Sequence, residues 1–132
     1  MNGDLEQAIG YFEASIVQKF DIDLLNKRIF INIVINDNGK FENHEIMFHG
    51  ISAFYFSNGP DNARFNTRPW NYIELSDIGF HRDPKDHITC IHDNPKSLQY
   101  NSDPNFNLDI WGKLFLIEAQ EVTIDGVIYQ AR

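Results

Sequence analysis

Apolar and polar positions divide the chain into one short helical stretch followed by a run of strands. Leu5, Ala8, Ile9 and Phe12 recur at helical spacing and predict a short N-terminal helix docked by one face. Asp4 stands at the N-cap position with Gln7 three residues on, the spacing of a capping box. Gly10 weakens the helix interior, which predicts an end near Glu13. From Ser15 the period becomes two: Ile16, Gln18, Phe20 and Ile22 fall on one side of a strand, and Val17, Lys19, Asp21 and Asp23 on the other. Leu24 to Lys27 turn the chain into a second strand, Arg28 to Asn36, whose Ile29, Ile31, Ile33 and Ile35 form a β-branched face. Asn36-Asp37-Asn38-Gly39 supplies residues that tolerate positive φ and predicts a tight hairpin.

A third extended segment runs from about Glu42 to Phe56, with Gly50 expected to bend or bulge it. Ser57 to Arg68 reads as a loop. A strand is expected from Trp70 to Phe80, with Trp70, Tyr72 and Glu74 on one face and Ile73 and Leu75 on the other. Asp83 to Asp103 is rich in Asp, Asn, His and Pro, interrupted by a short strand through Ile88-Thr89-Cys90-Ile91. Phe106 to Trp111 alternates, and Lys113 to Ile124 reads as strand more than as a helical turn over Leu114 to Ala119. Asp125-Gly126 then predicts a hairpin into Val127-Ile128-Tyr129. Strands and helices do not alternate, so a parallel α/β sheet is not expected. The pattern predicts a single domain over residues 1–132, mainly β within the α+β class. Its antiparallel sheet should curl into a sandwich or open barrel, with one short N-terminal helix.

Composition adds that one core is affordable: 42% of residues are hydrophobic and 14% aromatic over 132 positions. No apolar stretch approaches the roughly 18–20 residues of a membrane helix. Met1-Asn2-Gly3-Asp4 lacks the basic and apolar regions of a secretory signal. The one cysteine, Cys90, cannot form an internal disulfide, which suits a reducing cytosol. A cytoplasmic protein without membrane contact is therefore expected. Nineteen acids against eleven bases leave a net charge of −8. Each half of the chain carries −4, so the surface is evenly anionic. That balance disfavours nucleic acid and anionic lipid, and favours either simple solubility or a basic protein partner.

Candidate chemistry is sparse. His87-Ile88-Thr89-Cys90-Ile91-His92, with His81 nearby, is the most metal-like stretch, because zinc takes Cys and His and alternate strand residues share a face. It offers one Cys and no paired knuckle, so neither a metal nor another cofactor is expected. His44 and His49 are five apart and face opposite ways on a strand. No G-x-S-x-G, H-E-x-x-H, Walker A or G-x-G-x-x-G pattern occurs, so an enzyme is not expected. The aromatics remain: Trp70 and Tyr72 with Glu74, Trp111 alternating with Asp109, and Tyr55 between Phe54 and Phe56. Such rings either complete the core or anchor an interface, with carboxylates for steering.

Several stretches carry a family resemblance: Ser15 to Ile22, Ile29 to Ile35, and Phe48-His49-Gly50-Ile51-Ser52-Ala53-Phe54-Tyr55-Phe56. Trp70-Asn71-Tyr72-Ile73-Glu74-Leu75 and Asp109-Ile110-Trp111 through Ile117-Glu118-Ala119 complete it. In these the chain resembles the YxiG-like family of small Bacillus-type proteins. The resemblance implies a context, since such small acidic proteins look like those encoded beside polymorphic toxins, several of which act as immunity proteins. It carries over no functional residues. The expected function is accordingly a non-catalytic cytosolic immunity protein that occludes a cognate toxin, for example a nuclease with a basic groove. Tyr55, Trp70, Tyr72, Glu74, Asp109 and Trp111 form the expected partner-binding face. The alternatives are a small-ligand or carbohydrate-binding β domain, and a small metal-dependent hydrolase built on the histidine-rich segment.

Overall fold

A computed structural model describes residues 4–70, 73–90 and 99–132. Its elements are helix α1 (Leu5–Gly10) and strands β1 (Ser15–Asp23), β2 (Arg28–Asp37), β3 (Lys40–His49), β4 (Ala53–Ser57) and β5 (Glu74–Phe80). There follow β6 (Ile88–Cys90), β7 (Tyr100–Ser102), β8 (Phe106–Ile110), β9 (Lys113–Glu118), β10 (Glu121–Ile124) and β11 (Val127–Gln130). A 3-10 turn, Asp61–Phe65, interrupts the loop after β4. The protein is mainly β, as the period-two patterning requires.

Nine strands form one antiparallel sheet in the order β11-β10-β3-β2-β1-β5-β8-β9-β4, and β6 and β7 pair separately. The hydrogen-bonded order does not close on itself. The sheet nevertheless bends until its wings meet. Phe48 of β3 and Phe106 of β8 are separated by three strands in that order, yet their ring centroids lie 4.9 Å apart. The core is built from Ile29, Ile31 and Ile33 of β2, Ile46 and Phe48 of β3, and the inward residues of β5, β8, β9 and β10. Each fully buried aliphatic or Phe side chain contributes about 1.5–3 kcal/mol of transfer free energy. Leu5, Ile9 and Phe12 close one end, α1 lying over β5.

The bend has a local cause. β3 passes into β4, and β9 into β10, through two short connections at opposite wings of the sheet. At this corner Gly50 adopts φ +63, and a Cβ there would stand 2.8–2.9 Å from Gln120 Cγ and Cβ. Gln120 N donates to His49 O at 3.0 Å and Ser52 N to Glu118 O at 3.0 Å, which carries the ribbon round the corner. Asn105, buried beside it, donates from Nδ2 to Ala119 O (2.9 Å) and Ala131 O (3.2 Å). Its Oδ1 accepts from Ala119 N at 3.0 Å, so every polar atom of this buried amide is satisfied.

Three two-residue hairpin turns share one conformation: Asn38-Gly39 (φ +52, +87), Trp111-Gly112 (+51, +80) and Asp125-Gly126 (+49, +84). Positive φ at both central positions matches the twist of the flanking strands. Asn36 Oδ1 and Asp109 Oδ1 accept from Gly39 N and Gly112 N at 3.0 and 2.7 Å. Asp23 accepts from Asn26 N and Nδ2 in the β1–β2 turn, and these bonds hold its carboxyl below the ordinary range.

Some expectations need correction. Asp4 is helical and makes no side-chain cap bond, so the capping box is absent, and α1 ends at Gly10. The strand begins at Glu74, and neither Trp70 nor Ile73 belongs to it. Trp111 lies in a turn, not on the strand with Asp109. A bulge between Val17 and Lys19 shifts the faces of β1, so that Val17 and Phe20, expected on opposite faces, both lie toward the core, opposite Ile33 and Ile31. An extra residue in a ladder reverses every side chain beyond it. A second bulge, between Leu75 and Asp77, lets Leu75 and Ile78 both point inward.

Candidate functional site

Large apolar side chains that reach solvent collect around the β8–β9 hairpin and the neighbouring edge strand β4. They include Phe54, Tyr55, Phe56, Phe65, Trp70, Trp111 and Leu114. The pairing of β4 with β9 brings them together, Phe56 opposite Phe115 and Ser57 opposite Leu114. Strand alternation then sorts them by face. Phe56 stacks at 4.7 Å on Phe115, which stacks at 4.7 Å on Phe20, and Trp70 meets the edge of Phe56 at 6.3 Å. This ladder floors a cleft of about 310 Å³ lined by Val17, Phe20, Phe56, Trp70, Ile73, Ile110 and Phe115. Two recesses adjoin it across Trp70. One, of about 140 Å³, is lined by Trp70, Ile73, Ile110, Trp111 and Lys113. The other, of about 180 Å³, is lined by Asn58, Asn66, Arg68, Pro69, Trp70 and Lys113. On the opposite side of β4, Tyr55 borders an open depression with Ser57, Pro60, Asp61, Arg64 and Leu114.

The structure therefore brings Trp70 (40% exposed) and Trp111 (53%) to one recess, and sets Tyr55 (44%) on the reverse face of the same end. Glu74 opens β5 opposite Ile16 and is half-buried. Asp109 is occupied as the acceptor for Gly112 N and serves the hairpin that presents Trp111. Tyr72 lies outside the described residues. The charges beside Trp70 are cationic: the Lys113 ammonium sits 5.7 Å from the indole centroid and also donates to Trp111 O at 3.4 Å. Trp111 itself is unusual in its turn. A bulky residue at φ +51 holds a conformation that Asn and Asp take in the two sister hairpins.

The histidines serve other ends. His87 Nδ1 lies 2.6 Å from Asp103 Oδ1, and its Nε2 lies 2.9 Å from Thr89 Oγ1. Thr89 also donates to Asn101 at 2.9 Å, so the group ties β6 to β7 on an exposed surface. Cys90 is exposed, and His92 lies outside the described residues. Among the described residues no three His, Cys, Asp or Glu side chains are placed to share a metal ion. His81 Nε2 pairs with Asn107 Oδ1 at 2.8 Å. His44 and His49 do face opposite ways: His49 bonds Thr123 at 2.9 Å, while His44 lies among Tyr11, Phe12, Glu42 and Asp125. Burial alone would hold the His44 imidazole down. Bonds to Asp125 (2.6 Å) and Glu42 (3.3 Å), with their charges, outweigh it and raise the pKa above the ordinary 6.5. Tyr11 donates to Glu42 at 2.8 Å, which raises the phenol and lowers the carboxyl.

A family model for YxiG-like proteins matches residues 5–129. The chain belongs to the YxiG-like family. The match spans α1 and all the strands to Tyr129, so the corner, the three hairpins and the aromatic end all fall within it. No curated protein matches the chain.

Sequence reasoning missed Phe20, Phe56, Phe115, Arg68 and Lys113. A signal existed for Phe115: Trp111-Gly112 can be read as a two-residue turn, which would have paired β8 with β9 and placed it. The approach of Phe20 to Phe115 depends on sheet curvature and had no local signature. Among the described residues no helix is long and apolar enough to cross a membrane.

Proposed function

We propose that this YxiG-like protein is a non-catalytic cytosolic binding protein that captures a partner protein with its aromatic end, and that the partner is a cognate toxin. The supporting observation is the gathering of exposed Trp70, Trp111 and Phe56 around one hairpin and one edge strand, with Tyr55 on the reverse face of that strand. Contiguous exposed apolar surface rimmed by polar groups is what interaction sites present, and Trp and Tyr are enriched among interface anchors. Trp111 adds weight, because its indole, 53% exposed, stands at the tip of a hairpin in a left-handed conformation that bulky residues rarely adopt. The net charge of −8 would draw in a basic partner at long range. Asp109 then acts through its hairpin.

The toxin follows from the family context, and blocking would be stoichiometric: the aromatic end covers the toxin's working groove. Co-expression with candidate toxins encoded by neighbouring genes tests this. Protection of the host cell, and its loss with Trp70→Ala plus Trp111→Ala, is the expected result. Full protection by that double variant would refute the assigned face, and no protection by the wild type would refute the toxin reading. A carbohydrate would have to use the recess of Asn58, Asn66, Arg68 and Lys113 on the other side of Trp70, since the cleft itself is lined by apolar side chains. For the architecture, we take the curled sheet as an open barrel in preference to a sandwich, because nine strands follow one continuous hydrogen-bonded order.

A further inference from the structure

We propose that the cleft beside Trp70 is a binding site for a small amphiphilic carboxylate, whose apolar body lies on the Phe20–Phe115–Phe56 ladder and whose head meets Lys113 and Arg68. The seven side chains that line the cleft are all apolar. At about 310 Å³ it lies at the small end of ligand pockets. That is room for roughly ten water-sized groups at about 30 Å³ each. A chain of about ten carbons matches it.

Charge selects the head group. Lys113 and Arg68 line the polar recess on the other side of the Trp70 ring, with Asn58 and Asn66 as further polar neighbours. Neither cation has a carboxylate within ion-pair distance among the described residues. In a chain with nineteen acids and eleven bases, two cations and no carboxylate among the described residues that line this recess give it a charge opposite to that of the whole chain. Trp70 forms the partition, since it lines the cleft and both recesses. A ligand lying along it would be apolar on one side and anionic on the other. The inference does not depend on a toxin partner.

Titration with decanoate, followed by calorimetry and by tryptophan fluorescence, tests it, with decan-1-ol as the uncharged control. One saturable site per chain is expected, with a change in indole emission. Lys113→Met and Arg68→Gln should each weaken decanoate about tenfold, as loss of a charge-assisted bond does, and leave decanol unchanged. Ile73→Trp, which fills the cleft, should weaken both ligands, and circular dichroism would confirm that this variant folds. Absence of saturable binding, several equivalents adsorbed per chain, or decanoate affinity unaltered in both cation variants would each overturn the proposal.

Discussion

Trp111 concentrates the tension between folding and binding in one residue. Its turn is the same as those at Asn38-Gly39 and Asp125-Gly126, where short polar side chains accept positive φ readily. Trp111 holds that conformation without a short polar side chain to favour it, and its indole is about half exposed at the rim of the recess beside Trp70. Replacing it with Asn should therefore raise stability, by up to about 1 kcal/mol, because the hairpin then carries its preferred residue. Thermal unfolding would show a melting temperature at or above that of the wild type. The same variant should bind the partner at least tenfold more weakly. A clear loss of stability would mean that the indole is structural.

Two elements determine whether the ends of the molecule hold their shape. The first is the corner at Gly50, whose φ of +63 and close approach to Gln120 leave no room for a side chain. Gly50→Ala should cost about 1–3 kcal/mol, measured as a lower denaturant midpoint with little change in m-value. The second is the tether of α1 and the loop after it to the β10–β11 turn through Tyr11, Glu42, His44 and Asp125. The folded pKa of His44 lies above its unfolded value of 6.5, so its protonated form stabilises the fold. This contribution is complete below pH 6.5 and disappears as the pH rises through the higher folded value. His44→Gln should accordingly lower the melting temperature most near pH 6, with the difference from wild type shrinking toward alkaline pH. A pH-independent difference would show that the ring acts by packing alone.

These elements also mark how far the sequence could be read. The Ile29–Ile31–Ile33 face, the Asn38-Gly39 and Asp125-Gly126 hairpins and the bend at Gly50 rest on local rules and were legible. The bulges in β1 and β5 were not, because an inserted residue leaves composition and approximate period unchanged while reversing the faces. The site was half legible for the same reason. Trp70, Trp111 and Tyr55 could be nominated as aromatics with polar neighbours. Lys113 and Arg68 become their neighbours only after β4 pairs with β9 and the loop before β5 folds back.

At the scale of the whole molecule, two features act at different ranges. The net charge of −8 works over roughly a Debye length, about 8–10 Å at physiological salt, and in the proposed complex it would set the rate of encounter with a basic partner. The association rate should fall as salt rises, while the dissociation rate changes little. The aromatic end would act on contact and set the lifetime of the proposed complex. The sheet fixes the β8–β9 hairpin and β4 on a packed core, so such capture would require little ordering of the surface.

The most direct test is calorimetric titration of the purified protein with candidate toxins encoded by neighbouring genes, comparing wild type, Trp70→Ala, Trp111→Ala and Leu25→Ala. Leu25, 95% exposed in the β1–β2 turn, controls for general loss of apolar surface. The account predicts a one-to-one complex, weakened at least tenfold by either tryptophan replacement and unaffected by the leucine replacement. A complex equally tight in all four proteins, or no complex with the wild type, would contradict it.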